Sequence, residues 1–239
     1  MTDTQVAIEG VTKRYGAVLA VDHVSLSISR GEVYSLVGAN GAGKSTLLRI
    51  LVGITEADAG RLLICGEDLS NRAQSTRKHL GYLPEELILY ERLTGKEYLE
   101  LVAGLKDVST TSIPEELSFF ELLSVQNKLV GEYSLGMRKK LGLAAAMLGS
   151  PDVLVLDEPL NGLDVEMMRK LRHRIENERN KGRAVLVASH VMSFVERISG
   201  RVGIMRSGRL VAEDPPATLR AIAGIPDAPF EDVFFHFAG

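Results

Sequence analysis

A lone thiol, Cys65, serves all 239 residues of the chain. That excludes a disulfide framework and a cysteine-rich metal site, and a reduced, cytoplasmic compartment fits best. Long apolar runs are also missing. A membrane-spanning helix needs roughly 18 or more apolar residues, and the longest candidate, residues 141–156, is cut by Ser150-Pro151-Asp152. The opening Met1-Thr-Asp-Thr-Gln has neither the basic nor the apolar region of a secretory signal, so none is expected. Charge of one sign is scarce too: 28 basic against 31 acidic residues leave a formal net charge of -3. Without a basic tract, neither nucleic acid nor a polybasic membrane contact is expected. Internal repeats and low-complexity segments are lacking as well.

What the chain does have is enough for a sizeable core, with 45% hydrophobic residues. Its length allows one large domain, or one domain with an inserted lobe. Residues 5–9 and 24–29 alternate like half-exposed strands, Val24, Leu26 and Ile28 taking turns with serines. Glu32 to Val37 reads as a buried strand, followed by a glycine loop and a helix over 46–52; residues 60–65 read as another strand. From Pro84 to Ser150 the pattern turns helical, over 94–105, 114–124 and 135–149. Strands return at 153–156 and 184–188 with a helix over 164–181 between them, a βαβ unit. Two short strands, 202–205 and 209–213, close the pattern. The expected fold is α/β, with a mostly parallel sheet, an N-terminal antiparallel β part and an inserted helical lobe. The expected boundaries are core 1–84 and 151–225, insert 85–150 and tail 226–239.

Gly38-Ala-Asn-Gly41-Ala-Gly43-Lys44-Ser45 matches G-x-x-x-x-G-K-[ST] between a strand and a helix, the context that motif requires. Its backbone N–H groups and the helix N-terminus suit phosphate. Lys44 would reach the β- and γ-phosphates and the Ser45 hydroxyl would ligate Mg²⁺. Guanine specificity is disfavoured, because the nearest reader, Asn127-Lys128-Leu129-Val130, lacks its aspartate. Downstream, an apolar strand delivers Asp157 to the Mg²⁺ shell, and Glu158, pointing elsewhere by strand alternation, suits a general base or water-positioner.

A further stretch, Tyr133-Ser134-Leu135-Gly136-Met137, looks like a poor helix start. Glycine weakens the first turn, and the cations Arg138 to Lys140 oppose the macrodipole. Ser134 is placed as N-cap without a capping-box partner. Leu141, Ala145 and Leu148 give an amphipathic stripe, and Arg138 to Lys140 read as a solvated face outside any site.

In this order, these landmarks resemble the ABC (ATP-binding cassette) ATPase family over nearly the whole chain. Tyr15, Pro84-Glu85, Asn161-Gly162-Leu163-Asp164 and Ser189-His190 complete the set, with Tyr133–Met137 in the signature position. The resemblance implies an ATPase that binds ATP with Mg²⁺ through Gly38, Asn40, Gly41, Ala42, Gly43, Lys44, Ser45 and Thr46. Tyr15 would stack on adenine, and Glu85, where the family has glutamine, would touch Mg²⁺ or its water. Ser45 and Asp157 would hold the metal; Glu158, His190 and Lys44 would be catalytic. Ser134, Gly136 and Asp164 would contact ATP bound to a second copy. The signature departs from the family pattern at Leu135 and Met137. His23, His79, His173 and His236 receive no role.

A single cassette with a short insert resembles the stand-alone ATPase of a membrane permease, peripheral on the inner membrane face and dimeric with ATP. Gly81-Tyr-Leu-Pro-Glu-Glu, Leu93-Thr-Gly95 and the tail Phe230–Phe235 are similar to bacterial drug, ion and polymer exporters. The alternative expectation is a nucleotide-dependent switch on a cytoplasmic partner.

Overall fold

The computed structural model describes residues 3–69 and 79–239. Two sheets form its frame. The first is antiparallel, in the order β2-β1-β4-β5: β1 Thr4–Tyr15, β2 Val18–Ser29, β4 Ala59–Ile64 and β5 Glu67–Asp68. The second runs β10-β9-β3-β8-β7-β6: β3 Val33–Gly38, β6 Leu80–Leu83, β7 Val153–Asp157, β8 Ala184–Ala188, β9 Arg201–Arg206 and β10 Arg209–Asp214. Strands β9, β3, β8, β7 and β6 pair in parallel, and only β10 is antiparallel to its neighbour.

Strand periodicity explains why both faces of the parallel sheet are dry. Val153 and Val155 join the cluster around helix α1 (Lys44–Leu51), while Leu154 and Leu156 point into the opposite cluster. Side chains alternate at period two, so an unbroken apolar strand serves two cores. Leu47, Leu48, Ile50 and Leu51 of α1 fill the space towards β1 and β2, each fully buried aliphatic side chain contributing about 1.5–3 kcal/mol. On the opposite face lie α4 (Leu135–Met147) and α5 (Val165–Asn180), with α2 (Gly95–Lys106) and α3 (Ile113–Phe119) beyond them. A third cluster joins α6 (Met192–Ile198), α7 (Pro216–Ala223) and α8 (Phe230–Ala238) to β9.

Several boundaries differ from the sequence reading, each for a physical reason. Strands β1 and β2 are each 12 residues long, because register shifts between Ile8 and Arg14 break the alternation that marks a strand. The helix expected over 114–124 stops at Phe119, since Glu121 takes a left-handed φ of 59° and turns Leu122 back into the core. In α4 the expected stripe is not a stripe: every residue from Leu141 to Met147 is buried. The helix is sleeved between sheet and lobe rather than laid on a surface. No helix among the described residues is long and apolar enough to cross a membrane.

Candidate functional site

Strand order brings the expected phosphate and acid motifs together. The glycine loop follows β3, Ser189-His190 follows β8, Asp157-Glu158 ends β7 and Glu85 follows β6. These four strands are consecutive neighbours in the sheet, so their carboxyl ends open on one crevice, where ligands of open α/β sheets bind. A cavity of about 420 Å³ there is lined by Gly38, Ala39, Asn40, Glu85, Glu158, His190 and Met192, with Glu231, Phe234 and Phe235 from α8.

The loop is held open by its own chemistry. Lys44, buried at 7% exposure, donates from Nζ to the carbonyls of Gly38 at 2.7 Å and Ala39 at 3.2 Å. Burial lowers its pKa, opposed by the charges of Glu158, Asp157 and Glu85. Gly43 has φ 104°, and a Cβ there would strike the Ala20 carbonyl, so no side chain fits. Asn40 and Gly41 are exposed, while Ala42 packs inward and Thr46 lies in the first turns of α1.

Asp157 is 1% exposed. Burial pushes its carboxyl up to about 6, with Glu85 and Glu158 adding to the rise and the Ser45 hydroxyl and Lys44 opposing it. Its Oδ1 finds no hydrogen-bond partner among the described residues. Glu158 leaves the strand altogether, taking a left-handed φ of 46° while its N–H donates to the Ala188 carbonyl at 2.9 Å. That turn, and not strand alternation, separates the two carboxylates. Glu158 Oε2 lies 2.9 Å from His190 Nδ1, an ion-pair distance, though too skewed for a hydrogen bond.

Tyr15 stands apart, half exposed on the β1–β2 hairpin with Lys13 Nζ 5.6 Å from its ring centroid, and does not line the cavity. Neither do Ser134, Gly136 and Asp164, which form a second group. Ser134 caps α4, its Oγ accepting the Met137 N–H at 3.2 Å. Asp164 caps α5, accepting the Met167 N–H at 2.8 Å, and lies 3.6 Å from Lys140 Nζ. A Cβ on Gly136 would come 2.9 Å from the Gly162 carbonyl, so the glycine lets the two caps pack together. Leu135 is 78% exposed beside them. The sequence-predicted residues other than Tyr15 thus form two clusters on one chain.

The cations after the signature are not the solvated face expected from the sequence. Arg138 donates to the Tyr133 and Gly131 carbonyls and to Glu91. Lys140 donates to Glu121 at 2.6 Å. Lys139 is buried at 4% exposure, and its Nζ has no hydrogen-bond partner among the described residues. Burial lowers its pKa, while Asp157, Glu158 and Glu85 hold it up. A buried ammonium therefore faces the carboxylates from the signature helix. Ala39, Met192, Lys139 and the α8 residues were missed from sequence. The tail Phe230–Phe235 carries a likeness to exporters in the sequence, but no signal that it reaches the crevice.

Residues 21–161 match the ABC transporter family. The chain belongs to that family. It is an ATP-binding and ATP-hydrolysing cassette. A bacitracin transport ATP-binding protein of Bacillus licheniformis is 36% identical over 209 residues, 86% of this chain and 68% of that protein. A Nod factor export ATP-binding protein of Burkholderia thailandensis is 37% identical over 223 residues, 92% of this cassette and 73% of that one. Among solved structures, an ATP-binding subunit of an ABC transporter superposes with TM-score 0.93 at 28% identity, covering 98% of this cassette and 99% of that chain.

Proposed function

We propose that this cassette drives an export permease through ATP-dependent pairing of two copies, the P-loop cluster of each meeting the Ser134–Gly136 cluster of the other. The observation that carries the reading is the division of the site: phosphate-binding and carboxylate groups line one crevice, while the capping serine, exposed, and its half-buried glycine stand outside it. Relatives named for bacitracin transport and Nod factor export support export as the task. On this reading the cassette sits on the cytoplasmic membrane face through its permease, and the helical lobe, 85–150, carries the motion to it.

Within each site, Gly38 to Thr46 cradle the phosphates, and Lys44 leaves its loop carbonyls for the β- and γ-phosphate oxygens. The orphaned, buried Oδ1 of Asp157 next to the Ser45 hydroxyl fits a divalent cation; Ser45 and Asp157 would hold Mg²⁺, with Glu85 at its water. Bound there, Mg²⁺ neutralises charge building on the β- and γ-phosphate oxygens. Glu158 accepts the proton of the attacking water, and His190, beside it, holds the γ-phosphate. Tyr15, at the β1–β2 hairpin, would stack on adenine. Ser134, Gly136 and Asp164 of the second copy cap the nucleotide, where an uncompensated helix N-terminus receives negative charge.

Glu158→Gln tests this. The amide keeps the shape and loses the base, so the variant should bind ATP, hydrolyse it at least 100-fold more slowly, and elute as an ATP-dependent dimer. A monomeric variant with wild-type turnover would overturn the reading.

A further inference from the structure

Away from the nucleotide crevice, three side chains with metal-ligating chemistry converge at the amino ends of β6 and β7. His79 precedes β6 and Asp152 precedes β7. Those strands pair in parallel with Leu80 opposite Val153, so the preceding residues are brought side by side, and His79 Nδ1 contacts Asp152 Oδ2. The third group arrives from the other sheet. Cys65 follows β4 in a left-handed turn with φ 51°, and its Sγ donates to Gln5 Oε1 at 3.0 Å.

One donor atom each from Cys65, His79 and Asp152 all lie within 4.8 Å of one another. Ligands of a tetrahedral ion with bonds of about 2.0–2.3 Å stand roughly 3–4 Å apart, so shifts of about an ångström close the shell. A thiolate, an imidazole and a carboxylate together favour a borderline-soft ion over Mg²⁺ or Ca²⁺. The Gln5 amide oxygen is at hand as a further donor. Arg183, whose charge reaches Asp152, is itself paired with Glu178. A histidine–aspartate hydrogen bond alone would account for two of these groups, but not for the thiol beside them.

We propose that Cys65, His79 and Asp152 form a site for a Zn²⁺-class cation that staples the antiparallel sheet to the parallel one. In the ion-free protein the thiol keeps its proton, because burial and the nearby Asp152 and Glu67 carboxylates hold its pKa at about 11. Binding displaces that proton to solvent. The staple is structural and separate from ATP turnover, since these residues sit at the strand ends opposite the crevice.

Untagged, chelator-stripped protein titrated with Co²⁺ gives a clean reading, because Cys65 is the chain's only cysteine. One equivalent should raise a thiolate-to-cobalt charge-transfer band that Zn²⁺ abolishes and excess Mg²⁺ leaves intact. Cys65→Ser should remove the band; His79→Gln and Asp152→Asn should each weaken Co²⁺ binding at least tenfold. Unchanged Mg²⁺-supported ATP turnover in His79→Gln, with no Zn²⁺ or Co²⁺ added, certifies its fold. No band at stoichiometric Co²⁺, or a band of undiminished affinity in both His79→Gln and Asp152→Asn, would overturn the proposal.

Discussion

At Asp157 the fold works against itself. A carboxylate held at about 6 instead of near 4 costs the folded chain on the order of 3 kcal/mol at neutral pH. The sign follows from linkage: the raised pKa means the folded state binds the proton more tightly, so this contribution to stability is present below about pH 4. It is lost as pH rises through about 6. Asp157→Asn should therefore be more heat-stable than wild type at pH 7, the advantage shrinking towards pH 4, while ATP turnover collapses. Melting curves of the nucleotide-free proteins at several pH values check this. Lys139 poses the converse question. Its pKa is lowered by burial, so its charged form also costs stability, and Lys139→Met, with a stem of similar volume, should leave the fold as stable or more so. Without that ammonium the carboxylates take protons more readily, so the acid limb of the pH–rate profile should move to higher pH. A variant whose profile superposes on wild type would remove Lys139 from any part in positioning the acids.

Between elements, the lobe and the core are joined by buried charge. Glu116 of α3, 4% exposed, receives Arg174 of α5 at 2.5 Å, and the same arginine reaches Glu178 at 2.9 Å and lies over the Phe119 ring. Removing one partner of a buried ion pair costs about 3–5 kcal/mol, whereas replacing both by apolar groups can be neutral. Arg174→Ala should thus lower the melting temperature by roughly 10 °C, and Arg174→Met combined with Glu116→Leu should recover most of the loss. Such cross-element pairs were invisible in the sequence, because 58 residues separate Glu116 from Arg174. The same limit applied at Lys139: a cation in a run of three reads as solvated until the helix carrying it is seen to be sleeved on all sides. By contrast, the glycine loop, the acidic strand end and the helix starts at Ser134 and Asp164 were legible, because each is fixed by neighbours within a few residues. Strand lengths were less so, since bulges such as those in β1 erase the local period.

For the whole molecule, the decisive question is whether one chain or two complete the site. Ser134 and Gly136 sit with Gly162 and Asp164, and the crevice is lined without them. If two copies pair about a twofold axis, each site draws its acid from one chain and its capping serine from the other. Two inactive variants should then rescue each other. Ser134→Asp keeps a good N-cap for α4 but sets a carboxylate against the phosphate, and Glu158→Gln removes the base. Alone, each should turn over ATP at a small fraction of the wild-type rate. Mixed in equal amounts, half of the dimers are heterodimers, and in these both defects fall in one site while the other is intact. Turnover should return to about a quarter of wild type, from one intact site in each of half the dimers. If both clusters served a nucleotide within one chain, every site would carry one defect or the other, and the mixture would be as inactive as its parts.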